Sequence, residues 1–138
     1  MSSLKEVQAS LDFRADTFSM KWLPEEKVLF YSAVGKIEEE HMELFYQNFV
    51  ELAKALHGGK IDLLCDMTGF TTISLNARKV AIKIAQHPQF QRASIYGANK
   101  FLATVATFIM MAARKSEQLK VLSTREEALD WLLQSRPS

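Results

Sequence analysis

With 138 residues, the chain is the size of one ordinary domain and long enough to bury a single core without disulfides or metals. Apolar residues make up 48% and charged residues 24%, which excludes a disordered chain, and a formal net charge of +1 excludes the basic excess of a dedicated nucleic-acid binder. The single cysteine, Cys65, excludes an internal disulfide; it lies in an apolar run and reads as a small buried hydrophobe.

Residues 1–10 are polar and show no period, so they read as a leader ahead of a domain spanning 11–134. They contain no apolar core of the kind a signal peptide needs, which points to a cytoplasmic protein. Leu11, Phe13, Ala15 and Phe18 suggest a first strand, and Trp22, Leu23 and Pro24 with two glutamates suggest a connection. The run 27–34, KVLFYSAV, is β-branched and aromatic and ends at Gly35, as a second strand antiparallel to the first.

From 38 to 56 the period changes to 3.6. Met42, Phe45, Phe49, Leu52, Ala53 and Leu56 share one face, acids occupy the first turn, and Gly58 and Gly59 stop the helix. The stretch 60–85 is the centre of the pattern: a near-continuous apolar strand, 61–65, ends at Asp66. A polar turn with Thr68, Gly69, Thr71, Thr72 and Ser74 follows, and then a helix with Ala77, Val80, Ala81, Ile84 and Ala85 inward. Strand and helix alternate again at 93–96, 99–115 and 119–122. A final helix opens with the capping-box pattern Thr124-Arg125-Glu126-Glu127. The order β-β-α-β-α-β-α-β-α predicts an α/β fold with a mostly parallel sheet, the first strand antiparallel.

Three segments in register, LLCDMTGF, RASIYGANKF with the apolar helix behind it, and TREEALDWL, resemble the SpoIIAA-like family of STAS domains, whose founding type is the anti-sigma-factor antagonist. The resemblance covers residues 11–134. It implies a STAS/SpoIIAA-like βα superhelix of four or five strands and about four helices. It further implies a bacterial regulatory protein acting through protein contacts or ligand sensing, without catalysis. Antagonists of that kind carry a phosphorylatable Asp-Ser-(Ser/Thr)-Gly motif at the start of the helix after this strand. Here that region reads TTISLN, so the motif is missing and Thr72 and Ser74 are the nearest hydroxyls.

The candidate partner or ligand site is therefore Asp66, Thr68, Thr71, Thr72, Ser74, Arg78 and Lys79. For Asp66 the favoured reading is structural, a carboxylate that accepts bonds from its own turn amides, and one of the hydroxyls should cap the helix. Arg78 and Lys79 oppose the helix dipole at a cost of about 0.3–1 kcal/mol each, which an anion at the helix start would offset. The helix at 99–115 is apolar around most of its circumference. Phe101, Val105, Phe108, Met110 and Met111 are its candidates for a homodimer interface or for an apolar-ligand pocket, with coverage by neighbouring helices as the plain alternative.

The run 101–113 is too short for a bilayer, which takes about 20 residues, so no transmembrane segment is expected. His41, His57 and His87 lack metal-ligand spacing, and no nucleophile elbow, phosphate loop or dinucleotide fingerprint occurs. The expectation is a non-enzymatic regulatory module without cofactor or metal, a homodimer through the apolar helix at 99–115 that binds a regulatory protein partner. A small-molecule binder is the alternative, and an anion or nucleotide sensor built on Arg78 and Lys79 is a weaker one.

Overall fold

The computed structural model describes residues 13–14 and 18–134. A two-residue strand β1 (Phe13–Arg14) pairs antiparallel with β2 (Phe18–Leu23), and β2 pairs antiparallel with β3 (Val28–Ala33). Phe18, Met20 and Trp22 alternate into the core while Ser19 and Lys21 face the other way, the period that a half-buried strand imposes. This corrects the expectation of a first strand at 11–18 followed by a connection at Trp22. Trp22 and Leu23 belong to β2, Trp22 is only 2% exposed, and the turn is confined to 24–27. Pro24 and the two glutamates mark that turn but do not reach back into the strand. The leader at 1–10, Leu11 and Ala15 lie outside the described residues.

Helix α1 (Glu39–Ala55) buries Met42, Phe45, Phe49, Leu52 and Ala53, the face that its periodicity predicts. It leads to β5 (Ile61–Asp66), which lies parallel to β3 and is buried along almost its whole length. Two short strands interrupt the expected turns: β4 (Gly35–Ile37) after β3, and β6 (Phe70–Ile73) after β5, paired parallel to each other as a separate ribbon. The stretch expected to be a polar turn is thus partly strand. Phe70 and Ile73 point into the core, and Thr71 and Thr72 are the outward positions between them. Gly69 allows the ribbon to close against the end of β3, because a Cβ there would press on the Ala33 carbonyl.

Helix α2 (Leu75–Ala85), β7 (Phe90–Tyr96), α3 (Lys100–Ala112), a 3-10 turn, β8 (Leu119–Leu122) and α4 (Arg125–Gln134) complete the chain. The main sheet has the order β1-β2-β3-β5-β7-β8, parallel from β3 onward. Each crossover steps one strand over in the same direction, and a common hand puts α1, α2 and α3 on one face. Leu29, Tyr31, Leu63, Cys65, Ala93 and Ile95 meet those helices in the larger core. The alternate residues Val28 and Leu64 meet α4 on the opposite face, packed with Ala128 and Leu132. Because the strands run in sequence, the sheet contains no point where its order reverses, so the crevice that such a reversal opens in other α/β sheets is absent.

Candidate functional site

The end of β5 and the start of α2 hold the residues that the sequence singles out. The Asp66 carboxylate accepts the Thr68 amide at 2.9 Å, closing its own turn. It also sits beside Tyr96, whose hydroxyl is pushed up to about 12 by burial first and by the Asp66 charge second. Thr68 is exposed and packs against Gly97, which has a φ of +75°. A Cβ at Gly97 would collide with the Thr68 hydroxyl, so the two turns approach as closely as backbone permits. The Met67 amide donates to the Tyr96 carbonyl at 2.9 Å and fixes the same junction. Thr71 is exposed and Thr72 half-buried on β6, while the Ser74 hydroxyl caps α2 by accepting the Ala77 amide at 3.2 Å.

Arg78 is not a free cation at a helix start. Its Nε donates to the Ile73 carbonyl at 3.0 Å, and its guanidinium lies 5.7 Å from the centre of the Phe101 ring, so the side chain ties α2 to α3. Lys79 is exposed. Lys83 lies over the Tyr46 ring at 4.4 Å, a contact that sequence periodicity does not reveal.

The five candidates on α3 divide into two sets. Val105 and Met110 are buried, together with Leu102 and Ala106, against the sheet. Phe101, Phe108 and Met111 point outward, 51%, 62% and 54% exposed, so neighbouring helices do not cover the apolar excess of this helix. Along the chain the charge is one-sided. No Asp or Glu occurs from 67 to 116, a stretch that carries Arg78, Lys79, Lys83, Lys100, Arg114 and Lys115 besides Arg92, which lies on β7 and pairs with Asp62 at 3.7 Å, and the near-neutral total of the whole chain conceals that segregation. The signal was present in the sequence but is invisible in a net charge.

Beneath α2 and α3 lies an apolar cavity of about 90 Å³, bounded by Tyr31, Cys65 and Ile95 on the sheet and by Ile84, Val105 and Met110 on the helices. Tyr31 and Cys65 occupy paired positions on β3 and β5. Burial pushes both the phenol and the thiol well above their ordinary values, so Cys65 remains a neutral thiol.

The histidines serve local structure. The Nδ1 of His41 accepts the Glu38 amide at 2.9 Å at the start of α1, and the Nδ1 of His87 accepts the Gln89 amide at 3.1 Å after α2. His57 takes a φ of +51° in the turn after α1. Among the described residues, no group of three or more His, Cys, Asp or Glu side chains is placed to hold a metal, and no helix is long and apolar enough to cross a membrane.

A sequential βα sheet with three helices on one face and one on the other defines the class of small α/β domains to which the sequence motifs pointed. The SpoIIAA-like family model matches residues 28–133, and the chain belongs to that family. Two solved structures are similar to it. An uncharacterized protein of the DUF3478 family with a SpoIIAA-like fold, from Shewanella loihica PV-4, superimposes with a TM-score of 0.60 at 26% identity, covering 87% of this chain and 97% of its own. The anti-sigma factor antagonist SpoIIAA in its unphosphorylated form gives a TM-score of 0.59 at 10% identity, covering 83% of this chain and 96% of its own, and shows the shared fold. Among curated proteins, none matches this chain.

Proposed function

We propose that this chain is a non-enzymatic regulatory module that engages an acidic partner protein through the outer face of α2 and α3. The observation that carries this reading is the exposed stripe of Phe101, Phe108 and Met111 on α3, set in a stretch without carboxylates. Large apolar side chains rimmed by charges of one sign are the makings of a contact surface with both an anchor and a preference. Arg78 and Lys79 at the start of α2 belong to the same face, with Arg78 already seated on Phe101. The Asp66 carboxylate is spent on its own turn and the Ser74 hydroxyl on capping α2, while Thr68 and Thr71 are exposed.

A second copy of this chain is the other occupant to weigh. Two α3 helices packed antiparallel would bury the stripe but would bring Lys100 of one copy toward Arg114 of the other, adding like charges at both ends of the contact. The acidic partner is therefore favoured. The reading is tested by placing a photocrosslinking amino acid at Phe108 and at Lys79, with Glu43 on α1 as the control, in cells of the source organism. Crosslinks to one acidic protein from both positions, absent from the control, are the expected result. A product of twice the chain mass would replace the partner with a homodimer, and no product from either position would remove the surface from consideration.

A further inference from the structure

We propose that Lys60, His87 and Lys115 form a binding site for a phosphate group, carried by the free ion or by the monoester of a small molecule. The three residues come from three separate turns, those between α1 and β5, between α2 and β7, and between α3 and β8. Because β5, β7 and β8 are neighbouring parallel strands, these turns share one edge of the sheet. The Lys60 ammonium donates to the Pro88 carbonyl at 2.8 Å, and the Lys115 ammonium donates to the carbonyl of the preceding residue, His87, at 3.4 Å. The Gln89 side chain holds two of the turns together, donating to the Ala53 and Gly59 carbonyls at 2.7 and 2.9 Å, so Lys60 is fixed against the turn that carries His87. The Nδ1 of His87 accepts the Gln89 amide, which leaves Nε2 as the protonated nitrogen and a donor.

Among the described residues, no ion pair involves Lys60, His87 or Lys115. Glu51 pairs with Lys54, and Glu117, two residues beyond Lys115, is exposed and pairs with neither lysine. Two ammoniums are thus drawn together without a carboxylate between them. Lys115 is half-buried over the Phe90 ring at 5.2 Å, and burial first and the Lys60 charge second hold its pKa below the ordinary 10.5. A lysine that served only to satisfy a turn carbonyl would gain nothing from a second cation beside it. Each ammonium has three donors and gives one to a protein carbonyl, so both keep donors for a guest. A phosphate group brings two negative charges and several acceptor oxygens to two ammoniums and an imidazole N–H, whereas a carboxylate brings one charge and two oxygens. This inference does not rest on the partner reading, because the exposed stripe lies on the outer face of α3 and the cluster lies in the turns beyond the ends of α1, α2 and α3.

The test is a titration of the nitrogen-labelled full chain with orthophosphate, with glycerol phosphate and with acetate at constant ionic strength, followed by NMR. The expected result is saturable shifts at Lys60, His87 and Lys115 with the two phosphates, and at least tenfold weaker binding of acetate. Lys60→Met and Lys115→Met should each lose at least tenfold in phosphate affinity, while Lys54→Met, which removes a lysine already paired with Glu51, should stay within twofold of the parent chain. Tighter binding of orthophosphate or of glycerol phosphate supports the site in either case and identifies the free ion or the ester as its source. Should Lys115→Met fail to fold for want of its contact with Phe90, Lys60→Met at an exposed position makes the same comparison. Shifts that do not saturate, an equal response to acetate, full affinity in Lys60→Met, or a matching loss in Lys54→Met would each mean an adventitious ion only and overturn the proposal. Phe108→Glu should leave the phosphate titration within twofold, which separates a failure here from a failure of the partner surface.

Discussion

His87 shows how one side chain after a helix couples the fold to pH. Its Nδ1 accepts the Gln89 amide, its ring meets the edge of Phe49 at 5.2 Å, and Lys115 lies nearby. Burial first, and then the Lys115 charge, hold its pKa below the ordinary 6.5. The unfolded chain therefore takes up a proton at a pH where the folded chain does not. The stability from this group is fully present above about 6.5 and is lost as pH falls toward the lower folded value. The urea midpoint should drop between pH 7.5 and pH 5.5, and His87→Asn should drop less across the same interval. Equal drops in the two proteins would show that His87 is not the group responsible.

Other residues kept the chemistry that the sequence assigned them. Cys65 is buried, and Thr124 accepts the Glu127 amide at 3.2 Å, as its capping pattern requires. The return half of that box differs in detail, since the Glu127 carboxylate takes up the Thr124 hydroxyl at 3.0 Å. In the sequence Arg78 reads as a cation that opposes the helix dipole, a cost that an anion would offset. What offsets part of it, the Ile73 carbonyl and the Phe101 ring, lies partly on another helix and could not be seen from spacing alone.

At the scale of elements, α3 carries the sharpest prediction. Met110 and Met111 are neighbours in sequence but point to opposite sides, with Met110 at 4% exposure facing the cavity and Met111 facing outward. Met110→Asp should bury an unpaired charge and cost about 3 kcal/mol or more. Met111→Asp should change stability by about 0.5 kcal/mol or less while weakening the crosslink from position 108. Urea denaturation of the two variants decides the matter, and equal losses would mean that the outward face of α3 is not free. The helices were legible because 3.6-residue periodicity over ten or more positions is a strong signal. The ribbon of β4 and β6 was not, because three and four residues give the alternation too little length to be seen.

For the whole molecule, the two faces of the sheet are closed by different means. Three crossover helices cover one, while α4 alone reaches Val28 and Leu64 on the other, through Ala128 and Leu132. Leu132 is fully buried, and Leu132→Ala should cost about 2–5 kcal/mol in a urea melt followed by circular dichroism. A loss below about 1 kcal/mol would mean that α4 is not an integral layer of the fold.

The sequence by itself determined the alternation of strands and helices apart from the ribbon of β4 and β6, the antiparallel start of the sheet, the faces of α1 and α2 that turn inward, and membership of the SpoIIAA-like class, because these follow from local periodicity and short motifs. It also contained the carboxylate-free stretch from 67 to 116, although only the fold shows that much of that charge shares one face with an exposed apolar stripe. Tertiary structure alone decided the sequential strand order, the division of the α3 residues into an inner and an outer set, and the cavity left by alanines on three separate elements. Each of these depends on which distant residues meet across the sheet, and spacing along the chain carries no record of that.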